Sequence, residues 1–392
     1  MPDPGSVPAI EQPPAPQPAF ADKLRYVIHR PFGLPLARCG AVPARSINWV
    51  IPDPPPGSGG HLNIFRMIAN LEALGWDCRV AVAHYCRFGD VLEAKRFIDE
   101  SFMQLRAPVF VNAQDMPPAV FTMATAWDTA YCVRDFQSTA HKAYFIQDFE
   151  PWFFPAGSFG AWAEQTYRMD LLGITSGGWL AAKLRHDYGM RTVPIGFSYD
   201  KGRYRPLPRR SATDRKRVFF YGRPSTPRRG FELGVLALAE LHRRLPELEV
   251  VIAGCDTSGT RLPFPHVCAG IAALDDLPQL YSDCDVALVL SFSNLSLLPL
   301  ELMASGCPVV SNRGPNVEWL LNDGVAVLCD ATVESLCAGL WEILRNEERR
   351  TQLIRNGLAL ANDTDWMAHA RTLAGALSEL DSGAGARGPG AS

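Results

Sequence analysis

From about residue 47 to residue 380, short apolar runs alternate with segments of helical period. No other feature constrains the fold as much, because a chain written this way forms parallel strands covered by helices. "INWVI" (47–51) leads through "PDPPPGSGG" into "HLNIFRMIANLEALG", where Ile64, Met67, Ile68, Leu71 and Leu74 keep a helical period and Gly75 supplies a stop. "CRVAVAH", "PVFVNA", "FTMATAW", "AYFIQDF", "LLGITS" and "TVPIGF" continue the strand pattern to about residue 197. The stretch "KGRYRPLPRRSATDRKR" (201–217) has eight basic residues, two prolines and no apolar period, and reads as a linker. Beyond it "VFFYG", "LEVVIAG", "HVCAGI", "VALVLS" and "CPVVSN" predict a second sheet, and 362–380 predicts a terminal amphipathic helix. The predicted fold class is therefore α/β, with two Rossmann-like, doubly wound domains and a cleft between them. The predicted boundaries are a disordered Pro-rich arm over 1–20, domains over 21–205 and 206–361, the helix over 362–380, and a disordered tail over 381–392.

A length of 392 residues is enough for two cores. The composition, 47% hydrophobic and 20% charged, is that of a globular protein, and no apolar run reaches the roughly 18 to 20 residues of a membrane span. The N-terminal stretch lacks the basic start and apolar centre of a secretory signal. The ten cysteines form no C-x-x-C pair and the eight histidines no H-x-x-x-H pattern, so the expectation is reduced thiols, a cytoplasmic location and no metal. A net charge of −3, with basic residues interrupting an α/β pattern, argues against a nucleic-acid or other polyanion partner.

Three stretches carry candidate chemistry. In "PGSGGH" (56–61), between a strand and a helix, Gly57, Gly59 and Gly60 permit close backbone approach, and the helix amides behind them make an anion site. A plain Pro/Gly turn is the alternative. A dinucleotide fingerprint is excluded, since it requires glycine at Leu62. In "FFYGRPSTPRRG" (219–230), Arg223 follows a strand, and Arg228 and Arg229 precede Gly230 and the next helix. Guanidinium forks on either side of the loop can clamp a diphosphate, against a solvated basic loop as the alternative. In "LVLSFSNLSLLPLELMASGCPVV" (288–310), a strand is expected to end at Ser291 and a helix to start near Ser296. Open amides over Asn294, Leu295, Ser296 and Leu297 then face a phosphate. Glu301, one turn into the helix, accepts from ribose hydroxyls unless it is simply a surface glutamate.

These segments, with "YFIQDFEPWFFPAGS", resemble the GT-B glycosyltransferases of the retaining family 4 type, and most closely the bacterial rhamnosyltransferases of S-layer glycan and O-antigen-like polysaccharide assembly. The resemblance covers roughly 46–380. It implies a nucleotide-diphosphate-sugar donor on the C-terminal domain, a glycan acceptor on the N-terminal domain, a terminal helix crossing back to the N-terminal domain, and no cofactor or metal. It further implies that Arg223 and Arg229 hold the donor diphosphate, Arg229 standing where many members have lysine, that Glu301 binds the ribose, and that the backbone at Gly270 and Ile271 lies by the base. Many members carry E-x7-E, and here the position eight before Glu301 is Ser293, so sugar recognition must be reorganised.

Asp148 and Glu150 follow the strand "AYFI", with Trp152, Phe153 and Phe154 beside them. The resemblance favours Asp148 as the carboxylate that orients or deprotonates the acceptor hydroxyl. The alternative is a loop cap beside core aromatics. Thr125, Trp127 and Asp128 are weaker acceptor-side candidates on a neighbouring strand end. The expected function is metal-independent, retaining transfer of L-rhamnose from dTDP-L-rhamnose to a growing bacterial surface glycan. Its rivals are another NDP-hexose transferase, a nucleotide-sugar 2-epimerase and a noncatalytic sugar-nucleotide-binding subunit. A lipid-linked acceptor and peripheral contact of the basic 201–217 stretch with the inner face of the plasma membrane are part of the expectation, with a solvated hinge as the alternative.

Overall fold

A computed structural model describes residues 22–84, 86–210 and 215–385. The arm over 1–20, positions 211–214 of the basic stretch and 386–392 of the tail lie outside the described residues. The first sheet is formed by β1 (Ser46–Ile51), β2 (Asp77–Val82), β3 (Val109–Phe110), β4 (Ala119–Ala124), β5 (Thr139–Ile146), β6 (Leu172–Ser176) and β7 (Thr192–Ile195). Their spatial order is β3-β2-β1-β4-β5-β6-β7, all parallel. Helices α1 (Gly59–Ala73), α2 (Val91–Ser101), α3 (Trp127–Asp135), α4 (Ser158–Gln165) and α5 (Gly178–Tyr188) accompany these strands.

The second sheet contains β8 (Arg217–Tyr221), β9 (Glu249–Ala253), β10 (His266–Gly270), β11 (Val286–Val289), β12 (Val309–Asn312) and β13 (Val327–Cys329). Its order is β10-β9-β8-β11-β12-β13, again all parallel. With it run α6 (Phe231–Arg244), α7 (Leu277–Ser282), α8 (Leu298–Ala304), α9 (Pro315–Glu318), α10 (Val333–Arg345), α11 (Glu347–Asp363) and α12 (Trp366–Gly385). Both sheets reverse their winding once, between β1 and β4 and between β8 and β11, and ligands bind at the carboxyl ends of strands beside such reversals. All six residues of β1 and all four of β11 are buried, as expected of strands covered on both faces.

The structure departs from the sequence reading at several edges. Trp127 opens α3 rather than ending a strand, and β5 stops at Ile146, so that Gln147 and Asp148 lie just past its carboxyl end. β13 was not anticipated; three residues carry too little pattern to stand out. Residues 381–385, expected in a disordered tail, belong to α12.

The basic stretch is more than a linker. Tyr204 is buried and stacks on Tyr281 at 6.1 Å, and with Phe197 and Tyr199 it joins the core below the second sheet. Arg209 pairs with Asp285 at 3.0 Å, Arg203 with Asp275 at 3.1 Å and Arg217 with Glu249, while Lys201 donates to the Asn362 carbonyl at 2.8 Å. These pairs take up much of the charge that was assigned to anionic lipid. Arg205, Arg210 and Arg215 remain exposed.

The last helix closes the molecule on the other side. Ala370, Leu373 and Leu377 of α12 are fully buried in one cluster with Ile47 and Trp49 of β1 and Ile64 and Ile68 of α1. At the start of α12 the His369 ring accepts from the Gly196 amide at 3.2 Å.

Candidate active site

The carboxyl ends of β5 and β6 meet the loop after β11, and this junction organises the cleft. Asp148 is buried, and both its oxygens are engaged. Oδ1 accepts from the Asn294 amide at 2.6 Å and from Phe149 N at 2.8 Å, while Oδ2 accepts from the Ser293 hydroxyl at 2.9 Å. Arg228 Nε and Arg229 Nη2 stand 3.5 and 3.7 Å from Oδ2. Asn294 completes the junction, its Nδ2 donating to the carbonyls of Gln147 at 2.9 Å and Ser176 at 2.7 Å. Asp148, expected to orient or deprotonate the acceptor hydroxyl, accepts hydrogen bonds from two backbone amides and a hydroxyl, and two C-terminal-domain arginines stand at ion-pair distance from it. Such charge-assisted bonds inside a cleft are about twice as strong as neutral ones.

The arginine loop is held from below. Arg229 Nη1 donates to Ser291 Oγ at 2.6 Å and to the Asn294 carbonyl at 3.2 Å. The Arg228 guanidinium lies 3.8 Å above the Phe153 ring, and its burial lowers its pKa while Asp148 opposes that shift. Gly230 ends this turn in the left-handed region at φ 59°, and a Cβ there would stand 2.8 Å from the Phe292 ring. Arg223 sits at the end of β8, with Nη1 donating to the Tyr221 hydroxyl at 3.2 Å. Of the amides expected to be open, Asn294 donates to Asp148 and Leu295 to the Asn316 carbonyl at 3.1 Å, so two of the four face protein acceptors. The half-buried Ser296 and Leu297 lead into α8, which starts at Leu298 rather than near Ser296.

Glu301 is buried, not on the surface, and burial pushes its pKa up to about 7 against the pull of Arg66 and a hydrogen bond from Tyr204. Arg66 comes from α1 of the other domain and is itself buried, its Nη1 without a hydrogen-bond partner among the described residues. Sequence reasoning missed both partners. A signal existed for Arg66, since Asn63, Arg66 and Asn70 form a polar stripe at helical spacing beside the apolar one. Tyr204 had none, because it lies in the stretch that reads as linker.

The glycine-rich loop leads into α1, the helix that carries Arg66. Ser58 caps α1, and its hydroxyl also meets His61 Nδ1 at 2.8 Å, while His61 Nε2 lies 3.2 Å from the Pro52 carbonyl. Burial lowers the His61 pKa to about 4, so the ring is neutral and serves the loop. Gln147 ties the loop to β5 by donating to the Gly60 carbonyl at 3.1 Å and accepting from Asn63 at 3.1 Å. Gly59 and Gly60 are the first two residues of α1, and Gly57 lies close to Ile271: a Cβ on the former would be 4.0 Å from Ile271 Cγ2. Ile271 is 83% exposed beside Gly270, which has φ 58°.

Three acceptor-side candidates make their contacts within the N-terminal domain. Glu150 is buried, accepting from Trp127 N at 2.8 Å and from the Tyr144 hydroxyl at 2.6 Å, and burial raises its pKa to about 8. Thr125 is buried and donates to the Val50 carbonyl at 2.9 Å. The Trp127 ring packs in an aromatic group with Phe154 at 5.8 Å and Tyr26 at 5.9 Å. Asp128 is close to His84, whose Nε2 meets its carbonyl at 3.0 Å, and burial raises its carboxyl pKa. Trp152 alone stays open, 48% exposed.

Comparison with known proteins bears on the fold. Two family models match, "WsaF, N-terminal domain" over residues 89–175 and "WsaF, C-terminal domain" over 216–341. Among curated proteins, the O-antigen biosynthesis protein RfbC of Myxococcus xanthus is 35% identical over 260 residues, 64% of this chain and 20% of its own length. A phosphatidyl-myo-inositol mannosyltransferase of Propionibacterium freudenreichii is 33% identical over 199 residues, 47% of this chain and 50% of its own length. The chain thus spans about a fifth and about half of the curated relatives it matches. Among solved structures, a sucrose-phosphate synthase of Thermosynechococcus elongatus superposes with a TM-score of 0.65 at 14% identity, covering 86% of this chain and 100% of that one. Anabaena Alr3699/HepE, in complex with UDP and glucose, gives 0.64 at 16% identity over 84% and 99%. WaaG, a glycosyltransferase involved in lipopolysaccharide biosynthesis, gives 0.62 at 14% over 84% and 99%. The chain has the GT-B glycosyltransferase fold.

Proposed function

We propose that this GT-B chain is a glycosyltransferase of bacterial surface-glycan assembly, which moves a sugar from a nucleoside-diphosphate donor in the interdomain cleft to a glycan hydroxyl. The observation that carries the reading is the convergence of Arg228, Arg229, the Asn294 amide and the Ser293 hydroxyl on one buried anion, the Asp148 carboxylate. Donors that gather around a carboxylate at the carboxyl ends of strands are the kind that stabilise a departing diphosphate. Arg223, one strand end away, and the half-buried Ser296 and Leu297 that precede α8 extend the same surface. In this reading Glu301, which lies beside Arg66 and Tyr204, accepts from the ribose hydroxyls, and the base sits near the close approach of Gly57 and Ile271.

In the proposed reaction the bond from the anomeric carbon to the diphosphate breaks and a bond to the acceptor oxygen forms on the same face. The acceptor proton passes to the departing phosphate oxygen, and the arginines hold the charge that develops there. Asp148 acts as a positioning residue, holding Arg228, Arg229 and the 293–294 loop in register across the cleft. The route needs neither metal nor cofactor. L-rhamnose from dTDP-L-rhamnose is the proposed donor on the four-segment resemblance and on Ser293, which puts a small neutral side chain where many family 4 members carry a glutamate. A UDP-sugar is the competing choice, since Alr3699/HepE is also solved in complex with UDP-glucose. The acceptor is proposed to be lipid-linked and the site of action cytoplasmic, at the inner membrane face. No helix among the described residues is long and apolar enough to cross a membrane.

The test is transfer from dTDP-rhamnose, UDP-glucose and GDP-mannose to rhamnose-terminated acceptors in EDTA. Preference for dTDP-rhamnose is expected. Preference for a hexose donor overturns the sugar, loss of activity in EDTA overturns the metal-free route, and hydrolysis or epimerisation without transfer overturns the reaction class.

A further inference from the structure

We propose that the groove between Trp152, Trp179 and Phe292 is a binding subsite for the acceptor glycan, set back from the transferring end; the inference rests on the glycosyltransferase reading and extends it. The groove has a volume of about 650 Å³ and runs between the two domains, with the turn after β5 and helix α5 on one side and the ends of β11 and β12 on the other. That volume lies within the roughly 300 to 1,000 Å³ range of pockets built for small ligands. Trp152 is 48% and Phe292 41% exposed, although large aromatics gain most from burial. Exposed apolar faces gathered in a groove mark a binding surface. The Trp152 and Trp179 rings stand 6.1 Å apart at an angle of 37°, forming two adjacent flat faces.

The rim is charged. Lys183 pairs with Asp187 at 2.8 Å, and its ammonium also lies 5.1 Å from the Trp152 ring, which fixes that side of the groove. Arg313 lines the opposite side and is braced by Glu318 at 2.9 Å and Asp323 at 2.7 Å. Flat aromatic faces inside a hydrogen-bonding rim match a pyranose, whose ring presents C–H bonds on its faces and hydroxyls around its edge. An acyl chain would desolvate this charged rim and offer it no hydrogen bond in return, so the observations favour a sugar over a lipid.

Position supplies the second argument. Trp152 precedes Phe153, the ring under Arg228, and Phe292 N donates to the Arg228 carbonyl at 2.9 Å. The groove therefore begins one side chain from the arginine and Asp148 cluster, and its lining does not include Glu301, Gly270 or Ile271. A growing glycan with its terminal hydroxyl at that cluster lays its preceding sugars along Trp152 and Trp179.

The experiment measures binding of rhamnose mono- to tetrasaccharides to the full chain by calorimetry, with tryptophan fluorescence as a second readout. Affinity is expected to rise with length. Trp179→Ala should weaken the tetrasaccharide about tenfold and flatten the length dependence, while Trp179→Phe keeps most of it and the thermal shift with dTDP stays as in the unaltered chain. Unchanged tetrasaccharide affinity in Trp179→Ala overturns the proposal, as does failure of every oligosaccharide to bind a chain that dTDP stabilises. Binding to anionic vesicles that is lost in Trp179→Ala would reassign the groove to a membrane. If no nucleotide or nucleotide sugar stabilises the chain, the glycosyltransferase reading fails, and oligosaccharide binding judges the groove separately.

Discussion

Asp148 and Glu150 are two residues apart on one turn, yet they do different things. Asp148 gathers cations and donors from the opposite domain. Glu150 points into its own domain, where the Tyr144 hydroxyl and Trp127 amide are its partners and burial raises its pKa to about 8. An acid whose folded pKa exceeds its unfolded value favours the fold most below the unfolded pKa, near 4.5. That contribution is lost as pH climbs towards 8, because the unfolded chain releases the proton first. Glu150→Gln keeps an acceptor for Trp127 N and a polar partner for Tyr144 but cannot ionise. It should flatten the stability profile between about pH 5 and 8, with its advantage over the parent greatest at pH 8. Glu150→Ala should be destabilised by about 1 to 3 kcal/mol, since a buried amide loses its acceptor. Urea midpoints at pH 5.5 and 8 check both, and an equal effect of Gln at the two pH values would show that Glu150 is ionised throughout. Sequence alone placed both carboxylates at a strand end but had no way to show which one turned inward, since that depends on Tyr144, six residues back on β5.

At the scale of elements, the strands were the legible part. A parallel strand covered on both faces is a continuous apolar run, and "INWVI", "VFFYG" and "VALVLS" show it without ambiguity. The segment from 197 to 204 was not legible, because Phe197, Tyr199 and Tyr204 join the second core at irregular spacing among polar and basic residues. The junction of Asp148 with Ser293 and Asn294 joins residues about 145 apart and exists only once two finished domains dock. The arginine turn combines both kinds of information. Its Gly230 has left-handed backbone and no room for a Cβ against Phe292. Gly230→Ala should therefore carry about 1 to 2 kcal/mol of backbone strain and push Arg228 and Arg229 out of line with Asp148. We expect the midpoint of unfolding to fall modestly and nucleotide-diphosphate affinity to fall with it, read by urea titration and calorimetry. Parent-like affinity in a folded Gly230→Ala chain would mean that the turn does not position the arginines.

For the whole molecule, the chain begins its first sheet at Ser46 and finishes covering it only with α12, more than three hundred residues later. Leu373 and Leu377 are fully buried against β1 and α1, so a helix that follows the second domain in sequence completes the core of the first. The sequence showed the amphipathic period of this helix; the resemblance, not the period, pointed to the face it covers. Truncating two buried leucines removes apolar area and leaves cavities, at about 2 to 5 kcal/mol for each. In a Leu373→Ala/Leu377→Ala chain that loss should fall on the N-terminal domain. Hydrogen exchange is expected to show the amides of β1 and α1 losing protection while those of β8, β9 and β11 keep theirs. Loss confined to the second sheet, or spread equally over both, would mean that α12 does not act as a separate strap for the first domain and that the two cores open as one.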